Sequence, residues 1–292
     1  MQALIDFGVP LVAWLLMLAV GTDLRLVDFA SVLKRPLLLI AGLVVPSTLL
    51  PLLAVGLIRL FSPPPGIEAS LLLIAVCPIG GAANTYSYLA RASTALSVSL
   101  TGLSCILAVV TIPLSTLLLE ILLGRPFGFQ VPVKLLIQQL TLIITMPIGI
   151  GMLLRHWWPD EVEKRRGLLQ RLAFTGVALL VLFVVGADVQ GFRDNLGITV
   201  PLAAAFVIGS FTIGLTIAIS AWASDRDSFT LASEFATRNL AVATAIAITL
   251  LGRVGFAVFA TTYLLIEVPL MLLAVLVFRS RSVSSQIARE ST

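Results

Sequence analysis

The sequence predicts an all-α polytopic membrane protein with nine transmembrane helices. Of its 292 residues, 59% are hydrophobic and only 12% are Asp, Glu, Lys or Arg, whereas a soluble domain has about 45–50% apolar and about 25% charged residues. Long charge-free stretches recur along the whole chain, each near the roughly 20 residues that a helix needs to cross the hydrocarbon layer. This composition excludes a soluble enzyme, a disordered chain and a nucleic-acid-binding module.

Seven spans are marked by charge-free stretches, and two more are apolar stretches that contain charges. Helices are expected because a lipid-facing backbone must satisfy its own hydrogen bonds, and a barrel would show an alternating pattern. We expect a first repeat of four spans over residues 1–125 and a second repeat of five spans over residues 126–292. In chain order the stretches are bounded by residues 6–23, 35–59, 68–91, 91–120, 134–155, 171–188, 194–225, 228–252 and 254–278.

The basic residues indicate the orientation of the chain. With a cytoplasmic C-terminus, 13 of the 19 Lys and Arg residues lie on the cytoplasmic side and five outside, while Arg238 lies within a span. Because Lys and Arg collect on cytoplasmic loops, we expect the N-terminus outside and the C-terminus in the cytoplasm. The net charge of +4 is then explained by topology and does not indicate a nucleic-acid partner.

The third span has a predicted break at its centre. Pro78 removes a backbone donor, and the adjacent Gly80 and Gly81 make continued helix costly. A break at this depth is tolerated only where it is buried in protein or lines a cavity. An ordinary proline kink is the alternative, but the polar Asn84 at the same depth favours a discontinuous helix.

The eighth span carries Glu234 and Arg238 near the centre of the bilayer. Ionisable residues at this depth are costly and suggest a functional site. The alternative is a structural ion pair, because residues four apart can meet on one helix face. The third and eighth spans cross the membrane in opposite senses. They therefore predict inverted-topology repeats with two discontinuous crossing helices, the arrangement of secondary transporters.

The two breaks suggest what such a site would bind. The half-helices after the breaks point positive N-terminal ends at the centre, and with Arg238 they would favour an anionic substrate. The carbonyls before the breaks, with Glu234, would suit a small cation. Ser97 and Thr101 lie four residues apart on one face of the fourth span and offer hydroxyl oxygens. Helix packing is the alternative role for such hydroxyls.

Several motifs resemble those of the bile acid:sodium symporter family. Residues 78–84, Pro-Ile-Gly-Gly-Ala-Ala-Asn, are similar to the family's Pro-Gly-Gly-Thr-Ala-Ser-Asn, and residues 234–239, Glu-Phe-Ala-Thr-Arg-Asn, to its Glu-Val-Gly-x-Gln-Asn. The resemblance covers nearly the whole chain. It implies alternating access in a bacterial inner membrane, with a core domain of spans three, four, eight and nine moving against a panel domain formed by the other spans.

The resemblance also implies a sodium site and no other cofactor. One family ligand is missing, because Ala83 stands where the family has Ser. Two Gln ligands of the family's second sodium site correspond to Pro46 and Arg238, so both are lost together. We hypothesise that the fixed charge of Arg238 replaces the second sodium. The residues that match the first sodium site are Asn84, Ser97, Thr101 and Glu234.

The sequence thus predicts a symporter for a small organic anion, such as a short carboxylate, coupled to sodium at one remaining site. A proton-coupled or uncoupled carrier, with Glu234 and Arg238 paired in place of sodium, is the alternative. Glu267 inside the ninth span would be a proton carrier, a substrate contact or a partner of Arg238. A channel or an intramembrane enzyme is disfavoured, because the chain shows no filter loop and no catalytic motif. The expected substrate-binding residues are Gly81, Ala82, Asn84, Arg238, Asn239 and Glu267.

Overall fold

A computed structural model describes residues 2–25, 35–124, 133–187, 189–249 and 256–290. Within these ranges the regular structure is helical, apart from one isolated β-bridge. Five of the described helices are long and apolar enough to cross a membrane. The protein is therefore an all-α integral membrane protein, as its composition predicts. The count of nine spans and the two repeats stay predictions.

Two of the first five helices begin at a proline. The fixed φ of proline suits the first helical position, where its missing N–H is not needed, and Pro36 and Pro65 occupy that position in the second and third helices. The helices are α1 (Gln2–Asp23), α2 (Pro36–Phe61), α3 (Pro65–Val76), α4 (Ala82–Leu89) and α5 (Thr94–Leu123).

The second half of the described chain contains a π-helical turn, Thr141–Thr145. It lies just before Pro147, which has no N–H to continue the regular pattern, and it joins two helices into one rod. The helices are α6 (Val133–Leu140), α7 (Met146–Trp157), α8 (Pro159–Ala187), α9 (Val189–Ser220), α10 (Asp225–Ala236), α11 (Leu240–Thr249) and α12 (Phe256–Glu290).

The helices pack in two groups, which meet where α1 contacts α11, where α8 contacts α12 and where α5 contacts the rod that begins at Val133. One group holds α1, α7 and α8, and the other holds the interrupted helices with α2, α5, α9 and α12. The division into core and panel domains stays a prediction, but α2 and α9, which the sequence analysis assigns to the panel, pack here with the interrupted helices. Glycines explain the difference: a Cβ on Gly42 of α2 would lie 2.7 Å from the Leu100 side chain of α5, and one on Gly214 of α9 would lie 2.9 Å from Cα of Ala232 in α10.

Both helix interruptions predicted from the sequence are present. One helix ends at Val76 and the next begins at Ala82, and a second helix ends at Ala236 before another begins at Leu240. Pro78 and the adjacent glycines account for the first interruption. The second lies within the charged segment 234–239.

The two interruptions cross each other as short antiparallel segments. Ile79 pairs with Arg238 across the crossing. The Gly80 N–H donates to the Thr237 carbonyl at 2.9 Å, which satisfies groups that the helices leave free. A Cβ on Gly80 would lie 2.7 Å from the carbonyl oxygen of Arg238. The crossing therefore requires glycine at this position.

Candidate functional site

Four polar side chains meet beside the crossing. The Ser97 Oγ lies 2.8 Å from Asn84 Oδ1 and also hydrogen-bonds Glu234 Oε1. One turn further along α5, the Thr101 Oγ1 lies 3.2 Å from Asn84 Oδ1 and 3.1 Å from Glu234 Oε2. All but the half-buried Asn84 are fully buried. The structure thus brings together all four residues predicted as cation ligands, and their binding of sodium stays a prediction.

Helix ends and helix periodicity position this cluster. Asn84 stands in the first turn of α4, and Glu234 stands in the last turn of α10. Ser97 and Thr101 share a face of α5 because they are four residues apart. The intervening Ser99 instead donates to the Ala95 carbonyl of its own helix at 2.8 Å. Only the hydroxyls on the face toward the crossing therefore join the cluster.

The oxygens that face one another in the cluster include more acceptors than the two hydroxyls can serve as donors. An ionised carboxylate and the Asn84 amide oxygen only accept, whereas the hydroxyls of Ser97 and Thr101 supply one proton each. Two hydroxyl protons therefore face three acceptor oxygens, and an unsatisfied acceptor in a buried site is costly. A small cation, or a proton on Glu234, would satisfy the excess. Oxygen ligands of this kind suit a hard cation.

Arg238 lies in the second interruption and not on the helix of Glu234. Because α10 ends at Ala236, the alternative in which Glu234 and Arg238 pair on one helix face is not what the structure shows. Both residues are described, and they form no direct ion pair. Arg238 instead donates through Nη2 to the carbonyl of Cys77. Its Nε and Nη1 have no hydrogen-bond partner in the described chain, although only 6% of the residue is exposed.

A cleft beside the first interruption contains both positions that the resemblance links to a second sodium site. Pro46 of α2 and Arg238 both line it. The two lost Gln ligands therefore correspond to neighbouring positions of this structure. Arg238 brings a cation to the same place, as the substitution hypothesis requires.

The other expected substrate-binding residues lie near α1 or along the second interruption. Gly81 and Ala82 are half-buried at the start of α4. Asn239 caps α11, because its Oδ1 accepts from the Val242 N–H at 3.1 Å, and its Nδ2 faces the sulfur of Met17 in α1. The N-cap contact gives Asn239 a structural role that the sequence analysis did not assign.

Glu267 contacts the second interruption rather than Arg238. It is only 2% exposed, and its Oε1 accepts from Thr237 Oγ1 at 3.0 Å. The structure therefore does not show Glu267 as a partner of Arg238. The roles of proton carrier and substrate contact stay predictions. The contact joins α12 to the segment between α10 and α11.

Two further residues support the crossing and were missed in the sequence. The Ser104 hydroxyl accepts from the Ile79 N–H at 3.1 Å and donates to the Thr101 carbonyl at 2.9 Å. The Tyr263 hydroxyl donates to the carbonyl of Ala236, the last residue of α10. No motif distinguishes these side chains from other hydroxyls in membrane helices.

The fold and the cluster define a class of protein: an integral membrane protein whose interrupted helices cross beside buried polar groups, as in secondary transporters. A family model described as the Sodium Bile acid symporter family matches residues 10–193. This match exceeds half of the chain, and the chain belongs to that family. The matched region includes Asn84, Ser97 and Thr101, whereas Glu234 and Arg238 lie beyond it.

Curated relatives are named as sodium-dependent transporters or cotransporters. The chain is 31% identical over 182 residues to an uncharacterised sodium-dependent transporter, YocS, of Bacillus subtilis, covering 62% of this chain and 54% of the relative. It is 30% identical over 199 residues to the probable sodium/metabolite cotransporter BASS1 of Arabidopsis thaliana, covering 68% and 48%. It is 26% identical over 208 residues to the human ileal sodium/bile acid cotransporter, covering 70% and 58%. The matched part of the chain spans about half the length of these relatives.

Proposed function

We propose that the protein is a secondary transporter that couples the movement of a small organic anion to sodium. The observation that carries the proposal is the cluster of Asn84, Ser97, Thr101 and Glu234, in which buried acceptor oxygens outnumber hydroxyl protons. The sodium dependence named for the relatives supports the same ion. We propose nine spans, with the N-terminus outside and the C-terminus in the cytoplasm of a bacterial inner membrane.

A cation at this cluster would connect the two interrupted helices. Asn84 belongs to α4 and Glu234 to α10, while the two hydroxyls belong to α5. The ion would therefore stabilise one arrangement of the three helices, and its release would favour another. A ligand shifts a conformational equilibrium only by its difference in affinity for the two states. Such a difference is what coupling by alternating access requires.

Arg238 would supply a permanent charge at the place of a second sodium. A guanidinium remains protonated in proteins, so this charge is neither bound nor released during a cycle. The position of Arg238 on the same cleft as Pro46 supports this role. Transport would then involve a single sodium. Replacing Arg238 with Gln tests the role, and an unchanged dependence of uptake on sodium would refute it.

The substrate would bind between the crossing and α1. Helices α4 and α11 both begin beside the crossing, and the positive ends of their dipoles suit an anion. Gly81 and Ala82 at the start of α4 carry no side chain larger than a methyl group, and Asn239 faces Met17 of α1. Glu267 would then act on substrate binding indirectly: its hydrogen bond with Thr237 would fix the position of the second interruption. A short carboxylate is the proposed substrate class.

Uptake into proteoliposomes tests the proposal. Labelled small carboxylates are offered under a sodium gradient, a proton gradient or neither. We expect concentrative uptake with sodium alone, and its loss in Ser97→Ala. Ser99→Ala is the matched control, because its hydroxyl donates to the Ala95 carbonyl of its own helix. The proposal would be contradicted if the uptake of every tested carboxylate were independent of sodium.

A proton-coupled or uncoupled carrier is the second candidate. A proton on Glu234 would also offset the excess of acceptors in the cluster. The version of this candidate in which Glu234 and Arg238 pair directly is disfavoured, because Arg238 contacts the Cys77 carbonyl instead. The proton-gradient arm of the same uptake experiment distinguishes the candidates. Uptake that follows protons would make Glu234 and Glu267 the groups to titrate.

A further inference from the structure

The cleft at Arg238 has the features of an anion site distinct from the cation cluster. It lies between α2, the first interruption and α5, and its lining includes Pro46, Ser47, Cys77, Ser104, Thr111 and Arg238. None of the residues that the structure describes along this cleft is acidic. Arg238 is the charged residue among them.

Arg238 provides hydrogen-bond donors that the protein does not use. Its Nη2 donates to the Cys77 carbonyl, while the buried Nε and Nη1 have no partner in the described chain. The neighbouring hydroxyls of Ser47 and Ser104 already donate to the carbonyls of Leu43 and Thr101. An unpaired buried charge with unused donors is costly. A small anion on the guanidinium would remove that cost.

The described ion pairs give Arg238 no anionic partner, and one step of this argument rests on the proposed sodium site. Glu234 and Arg238 form no direct ion pair, and sodium at the cluster would occupy the Glu234 carboxylate. The Glu267 carboxylate accepts from the Thr237 hydroxyl and does not contact the guanidinium. An anion in the cleft would therefore be the direct partner that Arg238 lacks.

We propose that the cleft between α2 and α5 binds a small monovalent anion through Arg238. The anion is a halide or a small free carboxylate, because both offer one negative charge to a guanidinium fork. The site lies on the α2 side of the crossing, whereas the proposed substrate residues near Gly81 and Asn239 face α1. A bound anion would hold Arg238 in place at the crossing, and so would stabilise the protein.

Thermal unfolding of the purified full chain in uncharged detergent tests the proposal. Choline chloride, bromide, formate and acetate are titrated against choline gluconate at constant ionic strength, without sodium. An anion that binds the folded protein raises the unfolding temperature in a saturable manner. We expect such a rise, and in Arg238→Gln an apparent affinity weaker by at least about tenfold, as follows from the loss of charge-assisted hydrogen bonds.

Two more variants make the test independent of the folding of Arg238→Gln. Thr111→Leu fills the cleft without changing its charge and should also weaken the anion effect. Arg59→Gln is the matched control, because Arg59 is exposed at the end of α2 and does not line the cleft. We expect Arg59→Gln to respond as the wild type does.

The outcomes separate the sources of the anion and the possible failures. A response to halides indicates an inorganic anion, and a response to formate and acetate alone indicates a small carboxylate. No response in the wild type, or equal responses in Thr111→Leu and Arg59→Gln, would overturn the proposal. Sodium is absent from all these titrations, so their failure would not bear on the proposed sodium coupling. Sodium coupling is tested separately, by adding sodium gluconate.

Discussion

Replacing Gly80 with alanine places a methyl group where the two interrupted helices cross. The added Cβ would lie 2.7 Å from the carbonyl oxygen of Arg238 and 3.0 Å from its carbonyl carbon. Both are backbone atoms, so no side-chain rotation can make room. The crossing segments must therefore separate, and separation weakens the hydrogen bond from the Gly80 N–H to the Thr237 carbonyl.

The expected cost follows from these two effects. Overpacking a close contact costs about 1–3 kcal/mol, and a hydrogen bond contributes about 0.5–1.5 kcal/mol. Together they lower the free energy of unfolding by roughly 2–4 kcal/mol. For a chain of this size, roughly 2 °C per kcal/mol converts this into a fall in unfolding temperature of roughly 4–8 °C.

Thermal unfolding of the purified protein measures the fall. Gly149→Ala is the matched control: Gly149 lies in α7, and a Cβ there meets no atom within 4 Å. Alanine in a helix interior is favoured over glycine by roughly 0.5–1 kcal/mol, so this control should unfold at the same temperature or slightly higher. If Gly80→Ala unfolds at the same temperature as Gly149→Ala, the crossing does not have the close contact on which this account depends.

Three further changes probe the groups around the crossing. Asn239→Ala removes the N-cap of α11 and should lower the free energy of unfolding by about 1 kcal/mol, measured by denaturant titration. Tyr263→Phe removes the hydrogen bond to the end of α10 and should cost about 1 kcal/mol by the same assay; no change would show that this bond is not needed. Asp227→Ala removes an acceptor that Ser93 Oγ reaches at 2.5 Å, and should cost about 1–3 kcal/mol. Asp225→Ala, on the exposed face of the same helix turn, should unfold as the wild type does, and equal effects would contradict the assigned role.

The first interruption and the shared face of Ser97 and Thr101 were predictable because local rules determine them. Pro78 and the two glycines prevent a regular helix whatever surrounds them. Ser97 and Thr101 share a face of any helix. Their assignment to one cluster with Asn84 and Glu234 came from the family resemblance, and the structure brings these side chains together.

The roles of Arg238 and Glu267 depend on tertiary contacts that the sequence does not show. An i, i+4 relation predicts a pair only if the helix continues, and α10 ends two residues before Arg238. The contact of Glu267 with Thr237 joins residues 30 positions apart. The close packing of α2 and α9 against the interrupted helices was also not predictable, because a glycine such as Gly214 becomes a close-contact site only when its partner helix is known.

Direct binding of radioactive sodium to the purified protein, in gluconate solution, tests the central claim that Glu234 and its neighbours hold one coupling ion. We expect saturable binding of a single sodium per chain, its loss in Glu234→Gln and Ser97→Ala, and its retention in Ser99→Ala. Sodium binding that survives Glu234→Gln, or a stoichiometry of two sodium ions per chain, would contradict the account.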